Sequence, residues 1–345
     1  MTREDRDLTA AVPTLEDVAA RAGVSTATVS RCLNSPGQVS ERTQQRVMSA
    51  VRDLGYAPNF GARALAAKRT NTFGAIIPTM ENAIFARGLQ AFQNELQTNG
   101  ITLLVASSSY DPDREEDQIR ALVARGADAL LLIGHDRTAQ TYDFLDRRGI
   151  PYVVAWVHDN SVRRQSVGFD NFAAMKALTE EVLARGHRDI GVITAERAGN
   201  DRARERFRGI CAALADHGLD PADLLVEETT YSIGNGAKRF ARLMDQTPRP
   251  TAVLCGNDVF AAGALMKARE MGLRVPQDVS ITGFDDIDLA GIVTPGLTTV
   301  HVPHREMGRR AARRLLALRA GEDPGPGEEL ETTIKWRHSL GPAPA

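Results

Sequence analysis

The sequence has few cysteines, and they stand far apart. The three cysteines of the 345 residues are Cys32, Cys211 and Cys255. An odd number of widely separated cysteines fits reduced thiols in a cytoplasm and supplies no zinc site. His301 and His304 do not make up for this, because Pro303 breaks their helical spacing and no nearby cysteine or acid completes four ligands. We therefore expect no bound metal.

Long apolar runs and nucleotide-binding fingerprints are also missing. No segment is apolar for long enough to cross a bilayer, and residues 1–12 lack the apolar centre of a secretory signal. The chain has no Gly-x-Gly-x-x-Gly or Walker-type loop, so we expect no nucleotide cofactor. These absences favour a cytoplasmic protein without membrane contact, which begins with a polar, disordered extension over residues 1–12.

The formal net charge of −2 conceals an uneven distribution. Residues 13–69 carry eight Lys and Arg against four acids, a net of +4, which leaves −1 for residues 1–12 and −5 for residues 70–345. A basic segment on an acidic chain indicates a phosphate-binding surface near one end. The length of the chain allows two or three domains with sizeable cores.

Residues 14–34 (TLEDVAARAGVSTATVSRCLN) predict two short helices joined by a turn. Thr14 and Ser25 are suited to cap the helix N-termini, and Gly23 stands where the first helix must stop. If Val29 and Leu33 face inward, the outward face of the second helix carries Thr26, Ala27, Ser30 and Arg31. Such a face can enter the major groove of DNA, where Arg binds guanine through two hydrogen bonds. The alternative is an ordinary helical hairpin with a solvated face.

Two further segments extend this unit. Ser40–Leu54 predicts a third helix, and residues 58–69 predict a short alanine-rich helix after Pro58. The short helix has no complete apolar face, so we expect it to be marginal until another molecule orders it. Leu65 is the largest apolar side chain of residues 61–67, and in a dimer two such leucines could wedge into the minor groove.

This pattern closely resembles the LacI/GalR family of bacterial transcription factors. The matching residues are Thr14-Leu15, Asp17-Val18-Ala19, Ala22-Gly23-Val24-Ser25, Thr28-Val29-Ser30-Arg31, Asn34, Tyr56, Pro58-Asn59, Ala62, Leu65 and Ala66. The resemblance implies that the DNA contacts are Thr14, Leu15, Ser25, Thr26, Ala27, Thr28, Ser30, Arg31, Asn34, Gln38, Ser40, Thr43, Tyr56, Asn59, Ala62, Leu65 and Ala66.

From Phe73 onward, short β-branched runs alternate with amphipathic helices, which predicts parallel sheets covered on both faces. Eight candidate strands exceed one comfortable sheet, so we expect two doubly wound subdomains with a cleft between them. With the resemblance, the fold is an all-α helix-turn-helix headpiece followed by an α/β core like that of periplasmic binding proteins. The expected boundaries are a headpiece at 13–57, a hinge at 58–70, and a core at 71–345 with subdomains at about 71–168 with 299–328 and about 169–298 with 329–341.

Ligands bind at the carboxyl ends of the strands in such sheets. The residues at predicted strand ends are Asn82, Ile84, Phe85, Trp156, Asn257 and Asp285. The resemblance, which extends from Thr14 to at least Met307, implies that Arg206 grips an effector opposite Asp285, with Asn257 as the strand-end amide. A guanidinium, a carboxylate and an amide can orient a polyol through paired hydrogen bonds.

The aromatic residues Phe85, Trp156 and Tyr231 could form apolar walls of this site. Phe85 and Tyr231 fit the core equally well, whereas a buried indole N–H needs a partner, which favours a pocket position for Trp156. Ala83 stands where many relatives have proline, and Trp156 where they often have Asp or Asn. Because both departures fall in the effector site, the sugar that a relative binds cannot be assigned to this chain.

The sequence therefore predicts a DNA-binding transcriptional regulator, a repressor, whose affinity for its operator depends on a small metabolite. We expect it to bind a near-palindromic operator as a homodimer, since one headpiece makes too few base contacts. Two alternatives stay open. One is a solute-binding protein without a DNA role, and the other is an enzyme built on the doubly wound core.

Overall fold

The computed structural model describes residues 12–57, 69–81, 83–158 and 164–344. The chain divides into two compact units, Met1–Thr70 and Asn71–Ala345. Some of the expected features lie outside the described residues, namely the extension up to residue 11, the hinge at 58–68 with Asn59, Ala62, Leu65 and Ala66, and Asn82.

The first unit contains three helices, as the sequence predicts. They are α1 (Leu15–Ala22), α2 (Thr26–Asn34) and α3 (Glu41–Leu54), with a 3₁₀ turn at Pro36–Gln38. The Thr14 hydroxyl accepts from the backbone N–H of Asp17 at 3.3 Å, and the Asp17 carboxylate accepts from the N–H of Thr14 at 2.8 Å. Ser25 caps α2 by accepting from the N–H of Thr28 at 3.2 Å. Gly23 has a φ of 62°, so it ends α1 in a conformation that glycine adopts without strain.

A small core holds these helices together. Val18, Val29 and Val47 are fully buried where the helices meet. Cys32 is buried as well, whereas Leu33, which the sequence analysis placed inward, is half-buried. The Arg46 side chain donates to the carbonyl oxygens of Ala22 and Gly23 and ties α3 to the turn.

The second unit alternates strands and helices. Its strands are β1 (Thr72–Ile77), β2 (Thr102–Ser107), β3 (Ala129–Ile133), β4 (Tyr152–Ala155), β5 (Ser166–Gly168), β6 (Ile190–Ala195), β7 (Leu225–Thr229), β8 (Ala252–Cys255), β9 (Ser280–Asp285), β10 (Thr298–His301), β11 (Glu328–Glu329) and β12 (Thr333–Lys335). Its helices are α4 (Ala83–Thr98), α5 (Pro112–Ala124), α6 (Ala139–Arg148), α7 (Asn171–Ala184), α8 (Asp201–Asp216), α9 (Ile233–Met244), α10 (Asp258–Glu270), α11 (Asp288–Ile292) and α12 (His304–Ala320).

The strands form two six-stranded sheets in the orders β11-β5-β4-β3-β1-β2 and β12-β10-β9-β8-β6-β7. Neighbouring strands are parallel except for the antiparallel pair β10 and β12. Strands β1, β3, β6, β8 and β9 are buried along their whole length, as strands covered on both faces must be. This arrangement is the pair of doubly wound subdomains that the sequence predicts.

One expected boundary between the subdomains is wrong. The chain was expected to return to the first subdomain at about residue 299, but β10 (Thr298–His301) pairs with β9 in the second sheet. The chain therefore returns after His301, where α12 begins and packs on the first sheet. The four short strands β5, β10, β11 and β12 were not predicted, because two to four residues give too little periodicity.

Candidate functional site

The ends of β8 and β9 bring Asn257 and Asp285 into contact. The Nδ2 atom of Asn257 donates to Oδ2 of Asp285 at 2.9 Å, while Oδ1 of Asn257 accepts from the N–H of Val259 at 2.6 Å. Both side chains are buried. Asp285 has a φ of 106°, a conformation that L residues rarely adopt and that tends to occur at functional sites. The two polar groups that the sequence assigned to strand ends are thus neighbours.

Arg206 on α8 is the third member of this group. Its Nη1 atom lies 3.9 Å from Oδ1 of Asp285, and its guanidinium lies 4.6 Å from the ring centre of Phe284. Arg206 is only 6% exposed, and its Nε has no hydrogen-bond partner. Within the described ranges its guanidinium makes no hydrogen bond at all. A buried guanidinium with an unpaired Nε can bind an acceptor through a charge-assisted hydrogen bond, which is stronger than a neutral one.

Burial controls the protonation of the site. It raises the pKa of Asp285 from 3.8 to about 7, against the opposing effects of Arg206 and of the hydrogen bond from Asn257. Burial also raises the pKa of Asp258, which accepts from the hydroxyl of Thr299 at 2.6 Å. Near neutral pH, Asp285 can therefore either donate or accept a hydrogen bond.

Replacement of Asp285 by Asn should stabilise the fold at high pH. A folded-state pKa of about 7 against 3.8 means that ionisation destabilises the folded state progressively as the pH rises from about 4 to 7, and by a constant amount above that. Asp285→Asn should therefore raise the free energy of unfolding by about 2–4 kcal/mol at pH 8, and by much less at pH 4. Denaturant unfolding at the two pH values measures this difference.

Asp278→Asn is the matched control. Asp278 lies at the surface with its side chain 29% accessible, and its hydrogen bonds with Arg274 lower its pKa to about 2, so its removal should bring no gain in stability at pH 8. If Asp285→Asn raises the free energy of unfolding by the same amount at pH 4 and at pH 8, the predicted cost of a buried charge at Asp285 is wrong.

Trp156 and Phe85 lie in the hydrophobic core between the first sheet and α12. Their rings meet edge-on at 5.4 Å, and both residues are no more than 2% exposed. Ile84 is buried in the same cluster. The indole Nε1 of Trp156 donates to Nδ1 of His304 at 3.2 Å, and Nε2 of His304 donates to the carbonyl oxygen of Asp285, also at 3.2 Å. The indole N–H of Trp156 therefore has its hydrogen-bond partner in the core, at His304, and not in a pocket as the sequence suggested.

His304 is neutral, because burial lowers its pKa to about 4. Its position at the start of α12 connects Trp156, which follows β4 of the first sheet, with Asp285, which ends β9 of the second. Sequence reasoning missed this role, since it considered His304 only as a metal ligand.

A cavity of about 480 Å³ lies in the core, and Arg206, Asn257 and Asp285 are not among its lining residues. Its walls come from both subdomains and consist of Thr79, Met80, Glu81, Ser107, Ser109, Tyr110, Ala195, Glu196, Ala198, Asn200, Thr229, Thr230 and Tyr231. Tyr231 stacks on Phe260 at 5.0 Å, and its ring centre lies 5.6 Å from that of Tyr110. Tyr231 is thus the one expected aromatic wall that lines the cavity, and Tyr110 is a wall that the sequence did not suggest.

Ion pairs join the two subdomains around the cleft. The guanidinium of Arg204 on α8 makes two hydrogen bonds, of 2.8 and 2.6 Å, to the carboxylate of Asp136, which follows β3. Arg87 on α4 pairs with Asp288 at the start of α11. These contacts connect the two subdomains.

The candidate DNA-binding face of α2 is open to solvent. Thr26, Ala27 and Arg31 are exposed, and Ser30, which accepts from Nδ2 of Asn34 at 3.2 Å, is half-buried. The other described candidates are exposed (Thr14, Ser25, Asn34, Gln38, Ser40) or half-buried (Leu15, Thr28, Thr43, Tyr56). A helix with small residues at its N-terminus and an arginine one turn later fits the shape of the major groove.

The described residues contain neither a membrane-spanning helix nor a metal cluster. None of their helices is long and apolar enough to cross a membrane. Over the same residues, no cluster of three or more His, Cys, Asp or Glu side chains could hold a metal ion.

A helix-turn-helix unit in one chain with two doubly wound subdomains and a polar cleft defines a DNA-binding regulator with a ligand-binding core. Residues 14–59 match the model for bacterial regulatory proteins of the lacI family, and residues 179–340 match a periplasmic binding protein-like domain. The chain belongs to the LacI family.

Similar proteins agree with this assignment. The HTH-type transcriptional regulator GntR of Pseudomonas aeruginosa is 34% identical over 94% of this chain and 94% of its own length. A LacI family regulator from Silicibacter pomeroyi has a TM-score of 0.88 and 28% identity, over 95% of this chain and 99% of that chain. The lac repressor dimer bound to operator and the anti-inducer ONPF has a TM-score of 0.83 and 26% identity over the same shares.

The function follows from the family. The chain is a DNA-binding transcriptional regulator under allosteric control by a small metabolite, and it is not an enzyme. The DNA-binding unit also rules out a solute receptor without a DNA role.

Proposed function

We propose that this regulator is a cytoplasmic homodimer that binds a near-palindromic operator. The side chains Thr26, Ala27, Ser30 and Arg31 of α2 read bases, and the other candidates of residues 14–56 position the headpiece on the backbone. The exposure of this face supports the assignment, since none of its side chains is needed for the headpiece core. Two headpieces are required because a single helix-turn-helix unit makes too few base contacts for genomic specificity.

The effector binds in the cleft of the core, against Arg206, Asn257 and Asp285. The observation that carries this proposal is Arg206, which is 6% exposed and whose Nε is buried without a hydrogen-bond partner in the described part of the chain. The face of Tyr231 bounds the ligand. We propose an indirect role for Ile84, Phe85 and Trp156, which fix the positions of the residues that touch the ligand. Asn82 is proposed as a ligand contact from the resemblance alone.

The hinge transmits the signal to DNA. By resemblance, Asn59, Ala62, Leu65 and Ala66 contact the operator there, with Leu65 as the minor-groove wedge. An effector that prefers one closure of the cleft changes the spacing of the two subdomains, and with it the free energy needed to order the hinge helix. Coupling of this kind is typically about 1–3 kcal/mol, which changes operator affinity about 5- to 150-fold.

The coupling must be reciprocal. We expect effector to change operator affinity, and operator to change effector affinity, by the same factor. The operator is first selected from random duplexes with the full chain, and the four binding steps are then measured by anisotropy and calorimetry. Hydrogen exchange of residues 58–68 with operator, with effector and with both tests the hinge. Equal protection of these amides in the free protein and in the operator complex would contradict the ordering mechanism.

A further inference from the structure

The N-terminus of α12 lies against strand ends of both sheets. His304 accepts from the indole of Trp156, which follows β4, and donates to the carbonyl oxygen of Asp285 at the end of β9. That carbonyl belongs to the peptide group between Asp285 and Asp286, whose φ angles are 106° and 51°. Such angles strain residues other than glycine, and strain of this kind is typical of segments with more than one arrangement. His304 therefore holds a strained peptide group next to the Asp285 carboxyl.

Trp156 is held by the same helix. Its φ of 65° is unfavourable for a bulky residue, so its surroundings must fix it. Its backbone N–H donates to the sulfur of Met307 at 3.3 Å, and its indole donates to His304 at 3.2 Å. Its carbonyl oxygen accepts from Nδ2 of Asn171 at 3.0 Å. Because two of these three contacts come from the first turn of α12, a displacement of that turn must change the environment of Trp156.

Close packing leaves α12 little room to bend. A Cβ atom at Gly308 would collide with the carbonyl oxygen of Gly88 on α4. A Cβ atom at Gly88 would lie 2.5 Å from Cη2 of Trp156, so the indole fills the space beside this helix crossing. Met307 and Leu315 are fully buried along the same side of α12. A close-packed helix of this kind transmits a displacement along its length.

The other end of α12 holds Asn71, the first residue of the second unit. Nη2 of Arg319 donates to Oδ1 of Asn71 at 2.5 Å and lies 3.4 Å from Oδ2 of Asp128. The same oxygen of Asp128 accepts from the backbone N–H of Asn71 at 2.9 Å. The rise of an α-helix places His304 and Arg319 about 22 Å apart. One helix thus contacts both the Asp285 strand end and the residue at which the chain enters the core.

We propose that α12 is a rigid relay between the effector site and Asn71. A change at the peptide group between Asp285 and Asp286 displaces His304, and the helix carries this displacement to Arg319 and so to Asn71. This inference rests on the proposed effector site and adds to it the element that transmits the state of that site toward the DNA-binding unit.

Trp156 is a reporter for the test. The chain has two tryptophans, and the other one, Trp336, is exposed and lies under the guanidinium of Arg185. In Trp336→Phe, tryptophan emission therefore comes from Trp156 alone. The full chain with this change is titrated with an operator duplex selected from random sequences, and a random duplex supplies the baseline. We expect operator to change the emission of Trp156 without any effector, because coupling between two sites is reciprocal.

Two variants interrupt the relay at opposite ends. Arg319→Gln should abolish most of the emission response and change operator affinity about 2- to 30-fold, as anisotropy would measure. His304→Phe keeps an aromatic ring but loses both hydrogen bonds, and it should change operator affinity by a similar factor. The double variant should have no larger effect than either single variant, whereas substitutions about 22 Å apart are normally additive.

Arg309→Gln is the matched control. Arg309 is exposed on the same helix and pairs with Glu306, so its substitution should leave the emission response and operator affinity unchanged. Thermal melting of each variant checks that it is folded.

Three results would overturn the relay. They are an emission of Trp156 that operator does not change, an unchanged response in Arg319→Gln, and additive effects of His304→Phe and Arg319→Gln. If Arg319→Gln weakens operator binding but keeps the emission response, Arg319 acts through its charge alone and the relay is wrong. None of these measurements uses an effector, so their failure contradicts the relay and not the effector site, which Arg206→Ala tests separately.

Discussion

Arg206→Ala should abolish the response to effector while operator binding survives. The guanidinium is buried, has no hydrogen bond within the described residues and lies between Phe284 and Asp285, so a ligand acceptor would find its donors free. Truncation of a buried charged partner in a complex typically costs about 2–5 kcal/mol. We therefore expect effector affinity to fall at least about 30-fold, as calorimetry would measure.

The control for this variant is Arg208→Ala. Arg208 lies on the same helix, but it is exposed and pairs with Glu205, so effector affinity should not change. Anisotropy with operator DNA should give the wild-type affinity for both variants in the absence of effector. Normal effector affinity in Arg206→Ala would refute the assignment.

Arg31→Ala should have the largest effect on DNA recognition. Arg31 is exposed on α2, one turn after the N-terminal residues that we propose to face the groove. Loss of a bidentate contact with guanine should weaken binding to the specific operator by about 1–3 kcal/mol and relax the preference at one base pair. Anisotropy with the operator, with single-base variants and with random duplex measures both quantities.

Arg52→Ala separates base reading from charge. Arg52 is exposed in the last turn of α3, so its removal takes the same charge from the headpiece without changing α2. Its effect on specific and random DNA should be similar and small. If Arg31→Ala also weakens both kinds of DNA equally, then Arg31 contacts only phosphate.

The headpiece was predictable because its signals are local. The caps at Thr14 and Ser25 and the turn at Gly23 each depend on residues no more than four positions apart. They can therefore be identified from the sequence alone. The alternation of strands and helices in the core is similarly local, and eight strands follow from it. Arg206, Asn257 and Asp285 could be named together only through the family resemblance, because periodicity does not tell which strand ends meet.

The parts that could not be predicted depend on contacts between distant residues. Trp156 finds its partner in His304, 148 residues further along the chain, and a single sequence contains no sign of that hydrogen bond. Tyr110 lines the cavity from a loop after β2, and no local pattern in the sequence indicates that position. The boundary near residue 299 was misplaced for the same reason, since only pairing with β9 assigns β10 to the second sheet.

The subdomains are joined by links of two physical kinds, and these should respond differently to salt. The pair of Arg204 and Asp136 is partly exposed, with side chains 41% and 27% accessible, so dissolved ions screen it. The connection from Trp156 through His304 to Asp285 is buried and uncharged, so ionic strength leaves it unchanged. Rising salt therefore weakens the Arg204–Asp136 link and leaves the buried link unchanged. We therefore expect the arrangement of the two subdomains to depend on ionic strength even in the absence of effector.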